Sequence, residues 1–543
     1  MAESNDNLGA TNSIDSLYPE VTVDLMDTDE IHAEAGDTFD NSGNKPVAVL
    51  GERKKRNFSG TYQEATTGMR SKAAMVTDAV NVDLFDMADE IDAMRTPLSE
   101  LQSTTMEQIR NEIKGSNGLK SISTFTGCGG SDTGFAWAGY EPLLSVEFVD
   151  AARETLAANY KSHIITPASL IEQAKAIADE LGVTIHFEKQ RKIRGKQIAS
   201  SIDWPKTLSG MSGTNQDKFR YAVTMAGLKQ SNTRDQMPIF GDDIRGMSPE
   251  AVMDFLNLKP GELGVFEGSP PCKSFSTAGS REGGWGHILH YSDERHQTTD
   301  DLFLEYLRLL TVFKPRAFIA ENVEGLGMGA AEREVLVPLL KAFAELGYVV
   351  EAKGVNSKDY GVPQSRPRMF IVGIRKDQVD KDGNTLTPEF PTKFDEVYTV
   401  QDALDFASPN NDPDNLANAN LDRAIKENGD IYEIGKIWKR LGYGDSPQNK
   451  AYSLIRSHPD RPAPTITATS AGNQAAAGVM HPHECRKFTV AEYKALFGFP
   501  QDYVFTGTWE QQGERMGRSV PPFLMKQLAE SIAKTLSRAV PQD

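Results

Sequence analysis

From Leu119 onward, short apolar runs alternate with segments whose apolar residues recur at helical spacing. Ser121–Thr124 reads as a strand, followed by a Gly-rich turn and a helix over Asp132–Ala138. Leu143–Phe148 is a second strand, leading into a helix at Ala151–Tyr160. Leu263–Glu267 is a third, followed by a loop and an amphipathic helix at Leu302–Phe313. Ala317–Ala320, a helix through Glu332–Leu346, Tyr348–Ala352 and Met369–Ile374 complete the series. Strands alternating with helices predict an α/β fold, a mostly parallel sheet covered on both faces. Ligands of such sheets bind beyond the carboxyl ends of the strands.

Three stretches depart from the pattern. Residues 1–115 have little periodicity and are expected to be a largely disordered extension, with helical candidates only at Asn81–Met94 and Leu98–Lys114, the latter entered through Pro97. Residues 161–240 read as an insertion in the 116–375 unit and carry a basic run of Lys189, Arg191, Lys192, Arg194 and Lys196. Residues 376–478 are irregular and rich in Asn, Asp, Pro and Gly, with Trp438, Lys439, Arg440, Tyr443 and Tyr452 toward the end. Regular patterning resumes over 479–543.

Charge sharpens this division. The net charge is −18, and residues 1–114 hold 22 acidic against 10 basic side chains. The rest is only mildly acidic, so a nucleic-acid partner is compatible with it, because local patches steer ligands more than net charge does. Three cysteines exclude a disulfide scaffold. No CxxC or HExxH occurs, so no zinc site is expected. The polar N-terminus has no apolar core of a secretory signal, and no apolar run suits a membrane span.

Several segments carry candidate chemistry. Phe125-Thr-Gly-Cys-Gly-Gly130 follows the first strand and opens a helix, where glycines let a backbone approach a ligand. Glu147, ending the next strand, suits ribose hydroxyls, so the pair suggests a nucleoside-containing cofactor. In Gly268-Ser-Pro-Pro-Cys-Lys-Ser-Phe-Ser-Thr-Ala-Gly279 a cysteine follows a strand and two stiffening prolines. Lys273 beside it favours the nucleophilic thiolate. Glu321 and Asn322 follow the AFIA strand as a candidate acid and its orienter. Arg366 and Arg368 are candidate clamps for a carbonyl or an anion.

These segments together resemble the DNA (cytosine-5) methyltransferase family. The resemblance spans most of Leu119–Arg375 outside the insertion, and Asp460–Leu536. It is carried by FTGCGG, the Glu147 strand end, GDDI at Gly241–Ile244, GSPPCKSFSTAG, ENVEGL and KDYGVPQSRPRMFIVGIR. RPAPTITATS, HPHECRKFTVAEYKALFGFP and GRSVPP at Gly517–Pro522 continue it in order. It implies a Rossmann-like S-adenosylmethionine-dependent sheet with a smaller target-recognition domain at 376–478, acting as a monomer on double-stranded DNA in the cytoplasm of a bacterial or phage-infected cell. It implies that Cys272 adds to C6 of a flipped-out cytosine, Glu321 contacts N3 and the exocyclic amine, Asn322 holds the glutamate's loop and Arg368 binds the pyrimidine carbonyl. Ala278–Gln297 is then a plausible closing loop. For the cofactor it implies Phe125, Gly127 and Gly129 along the adenosine and methionine, Glu147 at the ribose and Phe148 on the adenine face. Asp243 and Ile244 would meet the adenine edge, Pro270 would flank the pocket, and Ser519 and Val520 would close the methionine end. Cys128 and Cys485 read as structural.

One motif departs from the family. Its last motif usually reads Gly-Asn-Ser/Ala-Val-Pro-Pro, and here Arg518 replaces the amide. A guanidinium about 5 Å from a sulfonium costs roughly 3 kcal/mol at an effective dielectric of about 20, so a compensating charge is expected. Either a protein carboxylate such as Glu514 supplies it, or the cofactor does. In the second case carboxy-S-adenosylmethionine, clamped by Arg518, would yield 5-carboxymethylcytosine; Lys273, where glutamine is usual, points the same way. A tRNA cytosine-5 methyltransferase and a non-catalytic DNA-binding relative are the other readings. Restriction-modification, phage self-protection and regulation all stay open as biological roles.

Overall fold

The structure is a computed structural model that describes residues 21–24, 97–187, 192–193, 196–197, 201–230, 236–271, 288–290, 296–298, 302–407, 438–446, 454–468 and 478–540. Residues 1–25 and 101–543 form one compact unit; residues 26–100 form a second, of which only Pro97–Glu100 are described. Asn81–Met94 and most of the basic run therefore lie outside the described residues.

The first unit is built on nine strands: β1 Val21–Asp24, β2 Lys120–Thr124, β3 Glu141–Val146, β4 Ser162–Ile165, β5 Met237–Phe240, β6 Val265–Gly268, β7 Ala317–Val323, β8 Tyr348–Asn356 and β9 Pro367–Arg375. Their order is β1-β8-β9-β7-β6-β2-β3-β5-β4. Six strands from β7 to β4 run parallel, and β9 lies antiparallel between β7 and β8. β1 adds in parallel to the outer edge of β8, a strand the sequence analysis does not anticipate within the N-terminal extension.

Alternation along the strands sends side chains to two cores. On β7, Ala317 and Ile319 enter one core, and Phe318 and Ala320 the other. The first core is roofed by helices α1 Gly130–Trp137 and, near the chain's end, Pro522–Ser537. These two helices pack tightly: Trp137 and Phe523 stand 5.3 Å apart, and the Tyr140 hydroxyl donates to Ala529 O at 3.0 Å. That contact brings the C-terminal motif to the Gly-rich turn. The second core lies under α2 Leu302–Phe313, with its expected bounds, and the helix Val337–Glu345.

The stretch 161–240 differs from a simple insertion. β4 and β5 belong to the main sheet, and between them run helices Pro167–Leu181 and Gly213–Leu228, whose apolar sides join the second core. Leu98–Lys114 is likewise not one helix. It ends at Ser103, and Thr105 caps a new start, accepting from Gln108 N while Gln108 Oε1 accepts from Thr105 N at 2.9 Å.

Candidate active site

The cofactor residues named from the sequence gather beyond the ends of β2, β3 and β5. β2 ends at Thr124; Phe125 after it takes φ 56°, and the turn continues through Gly127 and Gly129 with φ 55° and 87°. The Glu147 carboxylate reaches across this turn, accepting from Gly127 N and Val149 N at 2.7 Å each. Phe148 is buried against Val149 and Ala152, and its carbonyl accepts from Arg153. Asp243 starts the short turn Ile244–Gly246, accepting from Arg245 N and pairing with the Arg245 guanidinium at 2.7 Å. Both Asp243 and Ile244 are buried.

The C-terminal motif closes against this turn. A methyl group on Gly130 would lie 2.2 Å from Val520 O, so only glycine lets the turn and Ser519–Val520 meet. Ser519 and Val520 are buried. Beside this contact the Thr126 hydroxyl is buried and finds no partner among the described residues, and a side chain on Gly127 would meet open space. An unsatisfied buried hydroxyl next to an open, glycine-lined turn fits a polar nucleoside cofactor with its ribose toward Glu147. Cys128 points away into the core; burial pushes its thiol up to about 12, which agrees with a structural role.

The residues expected from the sequence to handle the base lie on, or follow, the neighbouring strands. Asn322 Nδ2 donates to Pro270 O at 3.0 Å, which ties the end of β7 to the Pro-Pro segment after β6. Cys272 and Lys273 follow that segment directly and, with most of Ala278–Gln297, lie outside the described residues. Glu321 pairs with Arg368 Nε at 3.2 Å, and β7 and β9 face each other in register here. Burial raises the Glu321 carboxyl, and the Arg368 and Arg366 guanidiniums pull the other way.

Arg366 stands differently from Arg368. It is buried and donates to Ile466 O at 3.1 Å and Gly517 O at 2.9 Å. It thus braces three chain segments, whereas Arg368 pairs with Glu321 and donates to Pro367 O at 2.7 Å. Gln364 acts alongside it, donating to Leu496 O and accepting from Ile466 N.

Arg518 resolves the charge problem locally. Its guanidinium is 40% exposed and meets Glu514 Oε1 at 2.9 Å, one turn earlier on the helix Trp509–Arg518. The protein thus supplies the carboxylate that the sequence called for.

The sequence analysis missed a row of buried polar residues beneath the site. Ser145, Ser123 and Glu267 are register neighbours on β3, β2 and β6. Asp132 of α1 joins them, accepting from Ser145 Oγ at 2.5 Å.

Comparison with known proteins agrees with this geometry. Residues 232–534 match the family described as C-5 cytosine-specific DNA methylase. The type II methyltransferase M.NgoPII of Neisseria gonorrhoeae is 27% identical over 78% of this chain and 97% of its own length. M.DdeI of Desulfomicrobium norvegicum is 28% identical over 52% of this chain and 76% of its own. Among solved structures, Spodoptera frugiperda DNMT2 aligns over 76% of this chain and 99% of its own at 14% identity, with a TM-score of 0.39, and adds nothing to the assignment. The chain belongs to the C-5 cytosine-specific DNA methylase family.

Proposed function

We propose that this enzyme methylates C5 of cytosine in double-stranded DNA, with Cys272 as nucleophile and S-adenosylmethionine as methyl donor. The observation that carries the reading is the tie from Asn322 to Pro270 O. It sets the carboxyl of Glu321 and the segment leading into Cys272 at one edge of the sheet. The cofactor turn at Gly127 and Glu147 lies at the same edge, across β6 and β2.

Cytosine C5 is a poor nucleophile, and a base in a duplex is out of reach. The target must be flipped out, as other base-modifying enzymes require. Cys272 then adds to C6 as the thiolate. Glu321, raised by burial, gives a proton to N3 and so makes C6 electrophilic. Arg368, paired with Glu321, would support charge on the pyrimidine carbonyl. Electron density driven onto C5 makes it the nucleophile. S-adenosylmethionine, when bound, supplies the methyl group. Loss of the C5 proton and elimination of Cys272 release the product. Phe125, Gly127, Gly129, Glu147, Phe148, Asp243, Ile244, Ser519 and Val520 would hold the donor, with Pro270 at its mouth.

The Arg518–Glu514 pair favours plain methyl transfer over carboxymethyl transfer, because the cation already has its anion. The type II methyltransferases it resembles suggest modification of a short duplex site, as in restriction-modification. Nucleoside mass spectrometry of DNA from bacteria expressing the protein should show 5-methylcytosine; 5-carboxymethylcytosine in its place would restore the other cofactor. Cys272→Ala should abolish both the product and covalent capture of 5-fluorocytosine duplex DNA. Capture that survives this change would remove Cys272 as nucleophile, and modified tRNA with unmodified DNA would redirect the substrate.

A further inference from the structure

The chain between β4 and β5 is longer than their pairing needs. The two strands lie side by side and parallel, a connection that one crossover helix can make. Here residues 166–236 intervene, and their described part includes the helices Pro167–Leu181, Trp204–Ser209 and Gly213–Leu228. The last two close on the turn that follows β5, where Asp243 and Ile244 stand.

One indole touches both ends of that turn. Trp204 is fully buried, and its Nε1 donates to Asp242 Oδ2 at 3.2 Å, just before Asp243. At the far end a methyl group on Gly246 would lie 2.2 Å from Trp204 Cε2, so the turn rests directly on the ring. The helix Gly213–Leu228 adds to this hold. Its Phe219 stands 5.9 Å from the indole, and its Thr224 Oγ1 donates to Gly246 O at 3.3 Å and accepts from Ser248 N at 3.0 Å. Its Arg220 Nε donates to Arg245 O at 2.8 Å. From α2, Arg308 donates to Ile244 O at 3.3 Å and Met247 O at 2.9 Å. Asp243 and Ile244 therefore lie between two points fixed on one side chain. A turn left loose would lose conformational freedom when a ligand bound it; a turn held beforehand has little left to lose.

We propose that the helical segment between β4 and β5 serves the cofactor site: Trp204 is a positioning residue that, together with Thr224, pre-sets the turn carrying Asp243 and Ile244 for the adenine of S-adenosylmethionine. The inference rests on the function proposed above, which places those two residues at the donor. It gives the long connection a task in cofactor affinity rather than in the chemistry of the base. Trp204→Phe keeps an aromatic ring beside Gly246 and removes the donor to Asp242. Thr224→Val removes the hydroxyl that serves both Gly246 O and Ser248 N, and Thr224→Ser keeps it.

The test is calorimetric titration of the full chain with S-adenosylmethionine, for the wild type and these three variants, beside single-turnover methylation of double-stranded plasmid DNA at saturating cofactor. Trp204→Phe and Thr224→Val should each raise the Kd at least about fivefold, the worth of one hydrogen bond, while Thr224→Ser should stay within about twofold of the wild type. The saturated rate should change by less than about twofold in all three, because a pre-set binding turn acts on affinity and not on the chemical step. Thermal melting without ligand establishes that each variant is folded; if Trp204→Phe does not fold, the Thr224 pair decides. Wild-type affinity in either folded variant overturns the bracing while the methyltransferase reading stands, and so does a Thr224→Ser protein as weak as Thr224→Val. A wild type that binds no S-adenosylmethionine overturns both.

Discussion

Arg518 and Glu514 show how one substitution is absorbed at the scale of a side chain. The two stand one helical turn apart, and the pair is partly exposed, so its worth is that of an ordinary surface pair, a few tenths of a kcal/mol. Under the proposed function its purpose is charge matching beside the methyl donor rather than stability. Arg518→Asn should therefore leave 5-methylcytosine as the product and shift the melting temperature by no more than a degree or two. Glu514→Gln should do more, since it removes the carboxylate that Arg518 meets. Affinity for S-adenosylmethionine, measured by calorimetry, should drop several-fold and recover in the Arg518→Asn double variant. An unchanged affinity in Glu514→Gln would mean that the guanidinium is too far from the sulfur to matter.

At the scale of elements, the main elements were legible where one face of a segment is apolar and the other is not. The helix Leu302–Phe313 and the strand from Ala317 follow directly from spacing, and Glu147 follows from its place after a strand, whereas Glu321 and Asn322, expected after the AFIA strand, are part of β7, which runs on to Val323. Three features were not legible. Thr105 breaks an amphipathic pattern because capping is a local hydrogen-bond competition that periodicity does not register. β4 and β5 hid within an apparent insertion because both are only four residues long and carry little pattern. Ser123, Ser145 and Glu267 look like solvent-facing positions of half-buried strands, yet α1 covers them. For Arg366, sequence gives the charge but not the two carbonyls to which it donates. The tie between Asn322 and Pro270 O belongs to this scale too, because it fixes one strand end to the segment of another. Asn322→Ala should cut the single-turnover rate at least about tenfold while DNA affinity holds. Asn322→Asp keeps the shape but loses the donor, and should be as slow; a fast aspartate variant would show that packing alone positions the loop.

For the whole molecule, the buried acids make stability depend on pH in an unusual direction. Most paired carboxylates have lowered pKa values and stabilise a fold as pH rises. Glu267 is the reverse. Its folded value is raised from 4.5 to about 8, so between those limits the folded state binds the proton more tightly than the unfolded chain does. Unfolding then releases a proton, and stability must fall as pH rises through that window. Below it both states are protonated and the cost vanishes; above about 8 it reaches its full size, an order of a few kcal/mol. Asp132 adds a smaller effect of the same sign over a lower window, since its folded value rises only to about 6. Glu267→Gln keeps the volume and the hydrogen-bonding oxygen but has no proton to lose. Urea unfolding of the two proteins at intervals from pH 5 to pH 8.5 should therefore give curves that converge at the acid end. They should separate progressively toward the alkaline end, with the glutamine variant the more stable. Parallel curves would mean that Glu267 is ionised throughout.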